Sequence, residues 1–216
     1  RIPPLLVGPD PRRHLVEALG VDADVLQRMG NAAHAALVAF GSAAEKHALA
    51  ASELRAMHTE VDVFRAVVEC YADRTAGVGE LVADCLSRPD SVTPWVVAAA
   101  ANVASFLEIY RFDFEAARRR QRWAYPYHLQ GSGPFSLVYG HCLAGLAANE
   151  QLDTAEAAQC FREALRVAKR AGDSHSHAAR LACALLGELL YERGEVEEAE
   201  RLLDESYLLG AEGGGV

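Results

Sequence analysis

Leu186-Gly187-Glu188-Leu189-Leu190-Tyr191-Glu192-Arg193-Gly194-Glu195-Val196-Glu197-Glu198-Ala199-Glu200 is the stretch on which the fold turns. An apolar run ends at a glycine, an acidic residue follows, and a small residue comes one helical turn later. The pattern reads as two helices joined by a tight turn, the first with a glycine at mid-length and the second with alanine where the two must cross. Outward from it, the acidic-to-small spacing recurs as Asp73…Gly77, Asp113…Ala117, Asp153…Ala157 and Glu195…Ala199, at steps of 40, 40 and 42 residues. Each acidic residue is placed to cap the free amides at the start of the second helix. With a 42-residue offset, Leu143, Gly145, Glu150, Glu156, Ala157 and Glu163 fall on Leu185, Gly187, Glu192, Glu198, Ala199 and Glu205. Repetition at this period is the signature of a stacked array in which each unit buries its neighbour's face.

Between the turns the apolar spacing is helical. Ala158, Phe161, Leu165 and Ala168 recur at three and four residues, as do Leu181, Leu185, Leu189 and their neighbours. Pro89 with Pro94, Gly131-Ser132-Gly133-Pro134 and Gly172-Asp173 separate the pairs. The spacing predicts helices near 59–72, 76–87, 93–110, 114–128, 135–150, 154–171, 175–193 and 196–209, and no alternating segment asks to be a strand. The N-terminal part, 1–57, is less regular, with helices expected at 12–19, 22–29, 31–40 and 42–57 and Asn31…Ala35 as a degenerate acidic turn. Repeats are placed at about 58–90, 91–131, 132–172 and 173–212, followed by a Gly-rich tail at 213–216. The chain begins without Met and ends in glycines, as a piece of a longer protein would.

Composition bounds the function. The net charge of −9 argues against a surface for nucleic acid, and no apolar run reaches the roughly 20 residues needed to span a bilayer. Five widely spread cysteines, Cys70, Cys85, Cys142, Cys160 and Cys183, read as reduced, buried, small apolar residues of a cytoplasmic protein.

Leu-Gly in the first helix, a glycine turn and a small residue in the second resemble tetratricopeptide units, although 40 to 42 residues exceeds the standard repeat of about 34. The longer repeat, the run from Leu189 to Glu200 and the Ala171-Gly172-Asp173 turn resemble MalT-like regulators of the LuxR family, from about residue 58 to 212. The same superhelix looks like the C-terminal region of bacterial serine/threonine kinases of the PknK type. The resemblance implies an all-α fold, a right-handed superhelix of antiparallel helix pairs. It implies a non-catalytic sensor or scaffold segment of a MalT-like transcriptional regulator, binding a small effector or a protein partner and signalling to output domains elsewhere. The alternative is a C-terminal regulatory or scaffold region of a kinase. No Walker loop, LuxR-type helix-turn-helix or kinase signature set occurs in the 216 residues, so no cofactor is expected, nor nucleic-acid or membrane contact, and self-association is left open.

Arg118-Arg119-Arg120-Gln121-Arg122 reads as a solvated face that complements a helix C-terminus, because consecutive helical residues point in different directions. His175-Ser176-His177, with His141 and Cys142 apart from it, lacks metal-ligand spacing. Ser132 and Cys142 lack the strand–turn–helix context of a nucleophile. Trp123, Tyr125, Tyr127, His128 and Phe135 gather around the Gly131–Pro134 loop, either packing between helix pairs or offering a stacking surface. In tetratricopeptide-like arrays the first helix of each pair lines the concave groove. Alignment on Gly145 and Gly187 projects Asn102, Phe106, Tyr110, Tyr139, Asn149, Glu188, Tyr191 and Glu192 inward, with Asp62 and Glu69 before them. That mixed aromatic, amide and carboxylate lining suits a polyhydroxylated ligand or a basic peptide.

Overall fold

A computed structural model describes residues 51–131, 134–172 and 176–213. The expected helices at 12–19, 22–29 and 31–40, most of 42–57, the Asn31…Ala35 turn, and Ser132 and His175 lie outside the described residues. The described residues are helical, with no strand among them: α1 (Ala51–Tyr71), α2 (Val78–Ser87), a 3-10 turn (Pro89–Ser91), α3 (Pro94–Tyr110), α4 (Phe114–Gln130), α5 (Phe135–Glu150), α6 (Thr154–Arg170), α7 (His177–Glu192) and α8 (Val196–Gly213). The break expected between 57 and 59 does not form. Met57, His58 and Thr59 run on inside α1, and the Thr59 hydroxyl donates to the Arg55 carbonyl at 3.0 Å.

One turn is built four times. The second residue after each first helix takes the left-handed conformation: Asp73 (φ 54°), Phe112 (φ 62°), Leu152 (φ 62°) and Gly194 (φ 79°). The next amide in each case reaches back five residues, from Arg74 to Glu69, Asp113 to Glu108, Asp153 to Ala148 and Glu195 to Leu190, each at 2.9 Å. These are Schellman closures, which satisfy the last carbonyls of the first helix. Asp113 then caps α4 through the Ala116 amide (3.1 Å), and Asp153 caps α6 through the Glu156 amide (3.2 Å). Asp73 is not a cap. It occupies the left-handed position itself, equivalent to Phe112, and Arg74-Thr75-Ala76 intervene before α2, whose N-cap is Gly77. The 40-residue step at Asp73 is therefore one residue out of structural register.

Within each pair the small residues permit close crossing. Ala117, Ala157 and Ala199 are fully buried, and a Cβ on Gly145 would stand 2.4 Å from the Phe161 ring. The first helices α1, α3, α5 and α7 pack side by side, whereas second helices of successive pairs touch little, so the array is tighter on the first-helix side. An apolar core of Val63, Val82, Val97 and Leu107 joins α1, α2 and α3. Further along, Val138, Cys142 and Ala178 lead into Phe161, Leu186, Leu190 and Leu202. Between these cores lies a polar seam at the junction of α3, α4 and α5. No described helix is long and apolar enough to cross a membrane.

Candidate functional site

The face formed by the first helices carries a cluster that long-range folding assembles. Tyr71 at the end of α1 and Tyr139 in α5 share a hydroxyl–hydroxyl hydrogen bond of 2.9 Å across 68 residues of sequence. The Phe135 ring packs on Tyr139 with centroids 4.9 Å apart, and Arg180 of α7, only 2% exposed, lies in electrostatic reach of Tyr139. Burial, then the neighbouring Tyr71, raises the Tyr139 phenol far above its ordinary value; burial also raises Tyr71 and lowers Arg180. Both phenols stay protonated and can donate or accept, while Arg180 places a buried guanidinium beside Tyr139.

The expected lining divides into groups. Tyr110 is 55% exposed, stacks on Phe106 at 5.6 Å and donates to Asp73 at 3.1 Å, so these residues tie α3 to the first turn. Glu188, Tyr191 and Glu192 are exposed on α7, and Asn149 is half-buried on α5. Asp62 pairs with Arg65 at 3.4 Å, and Glu69 pairs with Arg74 at 2.5 Å. Asn102 is drawn inward: its amide nitrogen donates to the Ser136 carbonyl at 2.9 Å, and its oxygen accepts from Gln121 at 3.0 Å. Tyr71 and Arg180 had no signal in the sequence, because only the packing of α1 and α7 against α5 brings them to Tyr139.

The polar seam extends from Asn102. Gln121 donates to the Ser105 hydroxyl at 2.9 Å and its oxygen meets His128 Nε2 at 3.1 Å, while Ser136 Oγ lies 3.3 Å from His128 Nδ1. An acceptor at Nε2 puts the proton there, leaving Nδ1 to accept from the serine. Burial, with His141 nearby, pushes the His128 imidazole down to about 4, so it is neutral near pH 7. Gly140 makes room: a Cβ there would come within 2.7 Å of Gln121 Oε1. Above this floor a cleft of about 280 Å³ opens between α4, α5 and α6, with Arg118, Tyr125, His141 and Glu156 on its walls. Its strongest charge is already neutralised, because Arg118 reaches Glu156, Asp153 (3.4 Å) and Gln151 (2.7 Å).

The arginine run lies in the first half of α4, away from that helix's own C-terminus. Its members turn to separate partners instead: Arg118 to Glu156, Arg119 and Arg122 to Glu115, and Arg120 to Glu108. The aromatic residues around Gly131 do not form one cluster either. Trp123 stacks on Tyr127 (5.2 Å), Tyr125 meets His141 edge-on (6.3 Å), and His128 is buried in the seam. Ser176 caps α7 through the Ala179 amide at 3.2 Å. Among the described residues no group of His, Cys, Asp and Glu could hold a metal. Burial raises all five thiols, Cys70 to about 12 and Cys85, Cys160 and Cys183 to about 11, which removes thiolate nucleophiles near neutral pH.

No family model matches the chain, and no solved structure matches it. Among curated proteins, serine/threonine-protein kinase PknK of Mycobacterium tuberculosis (strains CDC 1551 / Oshkosh and ATCC 25618 / H37Rv) and of Mycobacterium bovis is 45% identical over 194 residues. The chain is similar to one stretch of a serine/threonine kinase. That stretch is 90% of this chain and 17% of the length of each relative. The PknK likeness favours the kinase alternative over the MalT-like reading. The segment itself is not a kinase catalytic domain: it lacks the three kinase signatures, and its described residues form helices only.

Proposed function

We propose that this segment is a cytoplasmic, non-catalytic regulatory and scaffold arm of a PknK-type serine/threonine kinase, holding a protein partner on its first-helix face. The 45% identity over 90% of the chain to a stretch of PknK carries the reading. The paired-helix array supports it, because a tandem array offers an extended surface for a polypeptide and no enclosed reaction site. The exposed Tyr191, Glu188 and Glu192 of α7 are the contacting groups, while the Tyr71–Tyr139 bond and the buried Arg180 hold α1, α5 and α7 in place behind them. Aromatic anchors are enriched on such surfaces.

The test uses the full-length parent with Tyr191→Ala and with the Glu188→Lys/Glu192→Lys pair. Autophosphorylation is expected to hold, while phosphorylation of a co-purifying protein substrate falls by roughly fivefold or more. Unchanged substrate phosphorylation in both variants would remove the face from the reading. A parent that shows no ATP-dependent phosphorylation would remove the kinase assignment itself.

A further inference from the structure

The four helix closures set the first helices in one register, counted back from the left-handed residue. Two residues before it stand Tyr71, Tyr110, Glu150 and Glu192; six before it stand Val67, Phe106, Leu146 and Glu188. The two sets lie four residues apart, so they share one side of each helix. All eight reach the surface, the glutamates and Tyr110 fully and the others in part. Tyr71 shows which side this is. Its hydroxyl meets the Tyr139 hydroxyl of α5 at 2.9 Å, although α3 packs between α1 and α5. Helices two places apart reach each other on the inner side of a curved array, so these positions line its concave groove. Both α3 and α5 have helix pairs before and after them, and their positions stay open with those neighbours present.

The groove changes character along its length. Over α1 and α3 it is apolar and aromatic, with the Phe106 and Tyr110 rings in contact at 5.6 Å. Over α5 and α7 it carries Glu150, Glu188 and Glu192, none of which has an ion pair among the described residues. Arg193, the nearest cation along the chain, is held by Glu195 at 3.2 Å. We propose that the groove takes an extended segment of a partner protein, apolar in one half and basic in the other. The apolar half lies over α1 and α3, and the basic half over α5 and α7. This rests on the first-helix face being the partner surface, and adds which segment it selects and which way round that segment lies. Carboxylates without a counter-charge favour lysine or arginine and reject acidic segments. First helices about 10 Å apart make the four span roughly 30 Å, the reach of about nine extended residues. A segment of uniform character matches one half only.

The test uses the 216-residue chain and labelled peptides of about ten residues, a leucine–tyrosine half joined to a lysine half, in both orders. The controls are the same residues alternated, and a peptide with glutamate in place of lysine. Fluorescence anisotropy is expected to show one block order binding about tenfold tighter than either control, weakening with added salt. Glu150→Lys with Glu192→Lys is expected to lower that affinity about tenfold. Glu197→Lys with Glu200→Lys makes the same charge change at exposed positions of α8, and is expected to alter it less than about twofold. All four positions are exposed, and circular dichroism is expected to keep its helical signal in both variants. Equal binding of blocked and alternated peptides, or no binding by either block order, overturns the proposal. So does an equal loss in the two charge variants, which would make the attraction a matter of net charge. The underlying reading fails separately. If no peptide binds while Tyr191→Ala still lowers substrate phosphorylation by the parent, the face stands and this partner chemistry falls; if both are lost, the face falls too.

Discussion

Leu152 and Phe112 hold left-handed backbone while 85% and 80% exposed, so each bears the Cβ penalty of that conformation without packing gain from burial. Gly194 occupies the same place in the last turn without that penalty. Leu152→Gly is therefore expected to raise the stability by roughly 0.5–1 kcal/mol in urea titration, against the usual direction of a glycine substitution. A drop of similar size would show that the side chain makes a contact worth more than the strain. Asp113 and Asp73 make a second comparison. Asp113→Ala removes a cap and is expected to cost about 1 kcal/mol, whereas Asp73→Ala is expected to cost a similar amount for other reasons, losing the Tyr110 hydrogen bond and placing alanine at φ 54°. The acidic residue was legible in the sequence at all four turns. Its role at Asp73 was not, because three extra residues before Gly77 shift the register in a way that only backbone dihedrals reveal.

At the scale of elements, the glycine in the middle of α5 and α7 is the feature that lets each pair close. Alanine has about 1 kcal/mol higher helix propensity than glycine, so Gly→Ala would stabilise a free helix. Against it stands the partner helix. The Phe161 ring opposite Gly145 is 1% exposed and cannot move aside, whereas Leu203 opposite Gly187 is 38% exposed and can. Gly145→Ala is expected to lose about 1–3 kcal/mol net, and Gly187→Ala to stay near neutral, as thermal unfolding would measure. Equal losses would mean that the backbone approach, not the facing side chain, sets the constraint. Helix limits were read correctly to within a few residues wherever a turn was strong. α1 was the failure: a break between helices 42–57 and 59–72 was expected where Ala51–Tyr71 runs unbroken. Packing of Val63, Ala66 and Val68 against the neighbouring helices outweighs the weak local signal there.

Among the described residues the apolar cores on either side are joined by the seam of Asn102, Ser105, Gln121, His128 and Ser136. A buried network of this kind specifies one alignment of the pairs and becomes costly when one member changes charge. His128 sits in the folded state at about 4, below an unfolded value of about 6.5. The neutral form is the folded one, so its full contribution is present above pH 6.5 and is lost progressively as pH falls toward 4. The loss by pH 5 is roughly 2 kcal/mol. His141, also lowered by burial, adds in the same direction. Urea midpoints between pH 7 and 5 should fall less steeply in His128→Gln than in the parent sequence; an unchanged slope would place the titration elsewhere. Hydrogen exchange at pH 5 should open α4 and the start of α5 before the core of α7 and α8, as arrays held by nearest-neighbour contacts do.

Residues 58 to 212 carried the architecture in their own order. The 40- to 42-residue steps, the helical spacing of apolar residues and the glycine turns are local signals, and local hydrogen bonding and steric limits suffice to realise them. The surface is different. Tyr71, Tyr139 and Arg180 come together only through contacts between first helices far apart in the chain, which no periodicity encodes. The inward turn of Asn102 is likewise a property of packing, because burial depends on what covers a residue and not on its own identity.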